Sequence, residues 1–332
     1  MRRALLVGLG YKGTPNEISG CLADVKSLAP LLKKNKDESK NFDVKILTDE
    51  ENLIKKSTLK KEIENLFKEN SEDMETILFY FSGHGYLNSY GGYIVTNDFE
   101  EFSEGIEMSY ILNVIRHSKA KNKVIILDCC FSGTLGEKET DKSSNLDMGV
   151  TILTASRNSE VAYADNDGGI FTKLLTYALE GEAKNIFGEV SASQIYSYID
   201  SSLGSFEQRP LFKTNISKSV ILRMVEPSIE KSILRRLKEY FPNINSEYQL
   251  SPEHEPNINK DVDLSKFPFI TRDIVPNPEK VKIFKILQKL NKVGFVKPKT
   301  QEHMFYGAIY SDKCILTDIG RHYWRLCDKE RI

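Results

Sequence analysis

Along the first 225 positions, short apolar runs alternate with segments whose apolar residues recur at helical spacing. "RALLVGLG" is apolar, ends in glycines and reads as a buried strand. "FDVKILTDE", "METILFYFSGHG", "KVIILDCC" and "GVTILTAS" repeat the pattern, "GGYIVTND" adds a short extra strand, and "SVILRMV" is predicted as the last one. Between them, "GCLADVKSLAPLLKKN", "STLKKEIENLFKEN", "MSYILNVIRHSKAKN", "GIFTKLLTYALEG" and "SASQIYSYIDSSL" have the periodicity of helices, with Pro30 expected to kink or shorten the first. Strands alternating with helices predict an α/β fold, a mostly parallel sheet sandwiched by helices. Sheets of this kind carry their sites beyond the carboxyl ends of the strands. The stretches after Phe81 and Leu127 are therefore the places to look.

From Glu226 the pattern changes, which predicts two domains, 1–225 and 226–332. "IEKSILRRLKEYF" reads as a helix, and an irregular Asn- and Pro-containing stretch follows as far as Pro278. "EKVKIFKILQKLNKVGF" reads as a helix with Ile283, Leu287 and Leu290 on one face, and "HMFYGAIYSDKCILTDIGRHYWRL" as a hairpin followed by a short helix. Within the first domain, residues 136–147, "GEKETDKSSNLD", are almost wholly polar and predict a loop.

Composition narrows the picture. The chain is 40% hydrophobic and 28% charged, with a net charge of −1, as in an ordinary globular protein without an overall bias toward nucleic acid or membrane. Its two parts differ, however, at −5 before Glu226 and +4 from there on. The five cysteines are odd in number and not spaced as a disulfide framework or a pair of zinc-binding CxxC motifs, which favours a reducing, cytoplasmic setting. The apolar run after "MRR" is too short for a signal peptide, and no stretch approaches the roughly 18 apolar residues of a membrane span.

"GLGYKG", residues 8–13, matches the dinucleotide-loop pattern, but Thr14, Pro15 and a further glycine-containing loop intervene before any helix. It reads as a flexible strand-end loop. The adjacent Cys129 and Cys130 raise a different chemistry. Side chains alternate along a strand, so Leu127 and Cys129 share one side, and Asp128 and Cys130 the other. One thiol can pack inward while its neighbour projects past the strand end, where backbone N–H groups can serve as an oxyanion site. Two core cysteines without function fit the same pattern. A nucleophile needs a base, and of the five histidines only His84 stands at the glycine-flanked end of a buried strand, 46 residues before Cys130.

"YFSGHG" and "LDCCFSG" together resemble the caspase-like clan of cysteine peptidases, in particular the metacaspases and their prokaryotic relatives. "GYKGTPNEISGCLADV" and "TASRNSEVAYADNDGGIFTKLLTYAL" extend the resemblance over residues 1–225. It implies a caspase-like sheet of six strands, with Cys130 as nucleophile, Cys129 at a variable position, and His84 as general base and later acid. It also implies an oxyanion site from the N–H groups of Gly85 and Cys130. A pocket for Arg or Lys before the scissile bond would be lined by Asp24, Asp128 and Ser82, with Cys21 nearby. No third catalytic side chain is evident. The alternating calcium-binding aspartates of many metacaspases are not matched in "GYLNSYGGYIVTNDFEEF", which holds only Asp98, Glu100 and Glu101 as acidic residues, so no cofactor is expected and calcium activation is left open. The 136–147 loop falls where relatives are cut, and self-cleavage and a plain solvated loop are both open.

Residues 276–300 hold seven lysines and one acidic residue, and "AIYSDKCILTDIGRHYWRL" resembles the wing and closing helix of winged-helix domains. Nucleic-acid binding, a solvated lysine face and a sensor or adaptor module are the readings of this smaller α/β or α+β domain, with regulation by a small-molecule or protein activator preferred. His303, Cys314 and Cys327 do not form a metal set. The expectation is a cytoplasmic cysteine endopeptidase that cuts proteins after Arg or Lys. Its C-terminal domain would hold it in check or activate it, in bacterial antiviral defence or programmed cell death. The alternative is a silent caspase-like scaffold whose C-terminal domain binds DNA or a protein.

Overall fold

A computed structural model describes residues 1–68, 74–99, 105–129, 146–155, 164–165, 168–204, 209–258, 267 and 274–332. Two compact units divide at residues 226 and 227.

The first unit begins with β1 (Arg2–Gly8), α1 (Cys21–Lys33), β2 (Asp43–Thr48), α2 (Lys56–Lys68) and β3 (Thr76–Ser82). A hairpin, β4 (Gly85–Asn88) and β5 (Gly91–Ile94), is joined by β6 (Ile106–Glu107) before α3 (Met108–Arg116), β7 (Asn122–Asp128) and β8 (Val150–Thr154). A two-residue pair, β9 (Ala164–Asp165) and β10 (Gly168–Gly169), leads into α4 (Ile170–Tyr177). Then follow β11 (Glu189–Ser191), α5 (Ala192–Ser202), β12 (Leu211–Asn215) and β13 (Ile221–Met224). The central sheet has six strands in the order β12-β8-β7-β3-β1-β2, parallel except for β12.

Strand periodicity sorts the core into two layers. Leu5, Val7, Phe79, Phe81, Ile125, Leu127 and Cys129 face α2 and α3, where Leu59, Ile63, Ile111 and Ile115 complete one cluster. Their alternates, Ala4, Leu6, Leu78, Tyr80, Val124 and Ile126, face α1, α4 and α5, where Val25, Leu28, Phe171, Leu175, Ile195 and Ile199 form the other. β3 is buried along its whole length, as a central parallel strand covered on both faces must be.

α1 includes Pro30 in its last turn and stops at Lys33, two residues short of the end of the predicted segment. Two local expectations change. The sheet's sixth strand is β12, not the "SVILRMV" segment, whose β13 pairs instead with β11 as a separate ribbon. β12 reads LFKTN and is nowhere fully buried, so it lacks the apolar run that marks the inner strands. In the second unit, the first arm of the predicted hairpin is a helix, and the strand that pairs with the second arm lies before it.

That unit comprises α6 (Lys231–Arg235), α7 (Leu237–Tyr240), β14 (Glu247–Gln249), α8 (Pro278–Lys292), β15 (Val296–Pro298), α9 (Met304–Ile309), β16 (Lys313–Leu316) and α10 (Asp318–Asp328). The strands form an antiparallel sheet in the order β14-β16-β15, with α9 lying in the chain between β15 and β16. α9 buries Met304, Ala308 and Ile309 at helical spacing, which outweighs the turn-like "SDK" that follows it. α8 buries Phe284, Leu287 and Leu290, so Phe284 takes the inward place expected of Ile283. No helix among the described residues is long and apolar enough to cross a membrane.

Candidate active site

β3 and β7 are parallel neighbours in register, with Ser82 opposite Asp128 at their carboxyl ends. Strand parity puts both side chains on the face that α1 and α4 cover. α1 supplies Asp24, which accepts from Ser82 Oγ at 2.7 Å and from the Gly169 N–H at 3.2 Å. α4 supplies Thr172, whose hydroxyl donates to Asp128 Oδ2 at 2.6 Å and lies 2.6 Å from the buried Tyr80 hydroxyl. A Tyr80–Thr172–Asp128 hydrogen-bond chain therefore reaches the strand end from inside the core.

Asp24 and Asp128 are only 4% and 6% exposed, so both carboxylates sit in a desolvated pocket. Burial pushes Asp128 up to about 6, against the opposing hydrogen bonds from the Thr172 hydroxyl and N–H. Cys21, the first residue of α1, is buried beside Ser82, and desolvation raises its thiol to about 12. It stays protonated at neutral pH and is no nucleophile. Gly169 touches both carboxylates: a Cβ built there would lie 2.3 Å from Asp128 Oδ2, so only glycine lets the chain pass.

His84 follows β3 by two residues and is partly exposed. Its Nε2 lies 2.7 Å from the backbone carbonyl of Asn16. A carbonyl only accepts, so Nε2 carries the hydrogen and Nδ1 of the neutral ring keeps its lone pair. The His84 N–H donates to the Tyr11 hydroxyl at 3.0 Å, and that hydroxyl donates to the Val95 carbonyl at 2.9 Å. The Tyr11 and His84 rings pack with centroids 4.8 Å apart. Tyr11 has a left-handed φ of 53°, held because Gly10 N–H and its own N–H donate to the buried Asp49 carboxylate at 2.9 and 2.8 Å. The "GLGYKG" segment is thus a pinned loop rather than a flexible one, closed at its base by Ile18 N–H on the Gly10 carbonyl.

Val95 N–H donates to the His84 carbonyl, which makes Gly85 and Ile94 a non-hydrogen-bonded pair of the β4–β5 hairpin. The Gly85 N–H consequently points away from β5. Cys129 is buried with Leu127 in the α2–α3 layer. Cys130, both as nucleophile and as oxyanion donor, lies outside the described residues, as does the loop from 136 to 145. Asp98 accepts from Lys56 N–H and Thr96 Oγ1 at 2.8 and 2.7 Å, an arrangement that ties a turn to the start of α2.

The structure brings His84, Ser82, Asp24, Asp128 and Cys21 to the carboxyl end of the sheet around β3 and β7. Asn16, Tyr11, Asp49 and Thr172 join them without having been singled out. Asn16 acts through a backbone carbonyl, which any residue type supplies. Tyr11 and Thr172 lay inside segments already marked by the resemblance, and only their contacts give them roles.

A family model described as Caspase domain matches residues 1–221. The chain belongs to that family. Metacaspase-1 of Scheffersomyces stipitis is 36% identical over 87 residues, 25% of this chain and 21% of the relative. Metacaspase-1 of Meyerozyma guilliermondii is 28% identical over 146 residues, 40% and 35% of the two chains. Metacaspase-1 of Plasmodium falciparum is 25% identical over 199 residues, 51% and 32%. The matches span about a fifth to a third of these relatives' lengths. A crystal structure of a Geobacter sulfurreducens protein shares the fold, with a TM-score of 0.50 and 15% identity, covering 68% of this chain and 99% of that one.

Proposed function

We propose that the chain is a cysteine endopeptidase that cuts after Arg or Lys through Cys130 and His84. The observation that carries this reading is the His84 imidazole, tethered by the Asn16 carbonyl so that Nδ1 is the basic nitrogen, at the same strand ends that hold a pair of buried carboxylates. The Cys130 thiol gives its proton to Nδ1, and the thiolate attacks the scissile carbonyl carbon. The N–H groups of Gly85 and Cys130 accommodate the resulting oxyanion. His84 then protonates the leaving amine as the C–N bond breaks, and water hydrolyses the thioester by the reverse roles.

Asp24 and Asp128 supply the specificity. A guanidinium or ammonium entering between them replaces lost hydration with charge-assisted bonds, whereas a substrate aspartate meets repulsion. The second unit, residues 227–332, is the regulator in this reading. A protein cutter with so common a recognition residue needs restraint, which suits an effector of antiviral defence or programmed cell death.

Fluorogenic peptides ending in Arg, Lys or Asp test the assignment on the full chain. Cleavage after Arg and Lys, its absence after Asp, and its loss in Cys130→Ala and His84→Ala are expected. Equal cleavage after Asp, or activity surviving in Cys130→Ala, would overturn it.

A further inference from the structure

Lys282, Lys285, Lys289 and Lys292 follow one another along α8 at steps of three, four and three residues. At 3.6 residues per turn they fall within about 80° of the helix circumference and extend over about 15 Å. All four are exposed, directly opposite the buried Phe284, Leu287 and Leu290. Lys282 pairs with Glu279 at 2.7 Å, whereas Lys285, Lys289 and Lys292 have no acidic partner among the described residues. Four other lysines of the unit are matched, Lys238 with Asp328, Lys280 with Glu253, and both Lys299 and Lys313 with Glu247, whereas Lys297 and Lys329, which lie off the stripe, have no acidic partner among the described residues.

Like charges at these spacings weaken a helix. The stripe is held in place nonetheless. Asn277 caps the N-terminus through the N–H groups of Glu279 and Lys280, and Asn291 Nδ2 donates to the Val296 carbonyl at 2.8 Å, tying the other end to β15. Gln288, exposed at the stripe's edge, is an uncharged donor and acceptor beside the lysines.

We propose that this face of α8 binds duplex DNA, with the lysines on phosphates and Gln288 within reach of base edges. A helix about 10–12 Å across fits a major groove about 12 Å wide, and duplex DNA offers one charge per roughly 1.7 Å of axis, dense enough to meet every lysine of the stripe. The apolar side of α8 is spent on the unit's own core, which leaves none to insert into a lipid surface. The major groove of duplex RNA is too narrow for a helix. This inference stands independently of peptidase activity.

The test is fluorescence anisotropy of a labelled DNA duplex with the full-length Cys130→Ala chain. Three or four phosphate contacts predict an affinity loss of roughly 40- to 150-fold between about 50 and 200 mM salt. Joint replacement of Lys285, Lys289 and Lys292 by Gln is expected to lower the salt slope by about three, while the same change at the exposed Lys33, Lys36 and Lys40 of the first unit leaves it unaltered. Thermal melting checks that the variants fold. Should the triple variant unfold, Lys289→Gln alone is expected to lower the slope by about one. Absence of duplex binding at low salt, equal weakening by both triple variants, or tighter binding to phosphatidylserine vesicles or duplex RNA would overturn the proposal.

Discussion

Tyr11 reaches three groups from one buried position: it accepts from the His84 N–H, donates to the Val95 carbonyl, and lays its ring against the imidazole. Removing its hydroxyl leaves the buried Val95 carbonyl and the half-buried His84 N–H without this partner, at a cost of about 1–3 kcal/mol. Tyr11→Phe is therefore expected to lower the urea midpoint and to reduce kcat on an Arg peptide with little change in KM, because the carboxylate pocket is untouched. Asp128 makes a pH prediction. Its folded value of about 6 exceeds the ordinary 3.8, so between those values the native state holds more protons than the unfolded chain. Stability falls as pH rises from about 4 to 6 and then levels, and at pH 7 the buried anion costs roughly 3 kcal/mol. Urea titrations should find Asp128→Asn more stable than the parent at pH 7.5, with the gap closing toward pH 4. The same protonation should raise KM for an Arg substrate as pH falls through about 6, since a neutral Asp128 cannot pair with a guanidinium.

At the scale of elements, the strand-end loops hold the site and the helices fix its walls. Gly83 illustrates how tightly: a Cβ there would lie 2.8 Å from Phe81 Cζ and 2.9 Å from the Tyr11 hydroxyl. Gly83→Ala is expected to displace Tyr11 and abolish peptidase activity, a loss read directly in the peptide assay. α5, far in sequence from these loops, starts with a reciprocal cap in which the Ser191 hydroxyl meets the Gln194 N–H and the Gln194 side chain accepts from the Ser191 N–H. Ser191→Ala should lower stability by about 1 kcal/mol in chemical denaturation and leave kcat unchanged. The elements legible in the sequence were those with strong periodicity. β3 and β7 announce themselves as unbroken apolar runs, because both faces are covered. β12 does not, since an edge strand of five residues needs little apolar surface.

For the molecule as a whole, the proposed cleavage after Arg and Lys would harm the cell that makes the protein when unrestrained. Expression of the full chain in its active state should slow growth, and Cys130→Ala should relieve the arrest; colony counts compare them. Charge divides the two units as it divides their proposed tasks, with acidic residues in excess up to Glu226 and basic residues beyond.

The sequence by itself determined the alternation of strands and helices, the glycine-flanked histidine and the paired cysteines, because periodicity and residue type are local properties. Tertiary structure alone decided that Asn16, 68 residues before His84, would turn its carbonyl to the imidazole, and that Asp24 and Thr172 would meet Ser82 and Asp128 on one face. A backbone carbonyl has no signature in the one-letter code. Such partners are chosen by which strands pair and which face each helix covers, and those are relations between distant segments rather than properties of any one of them.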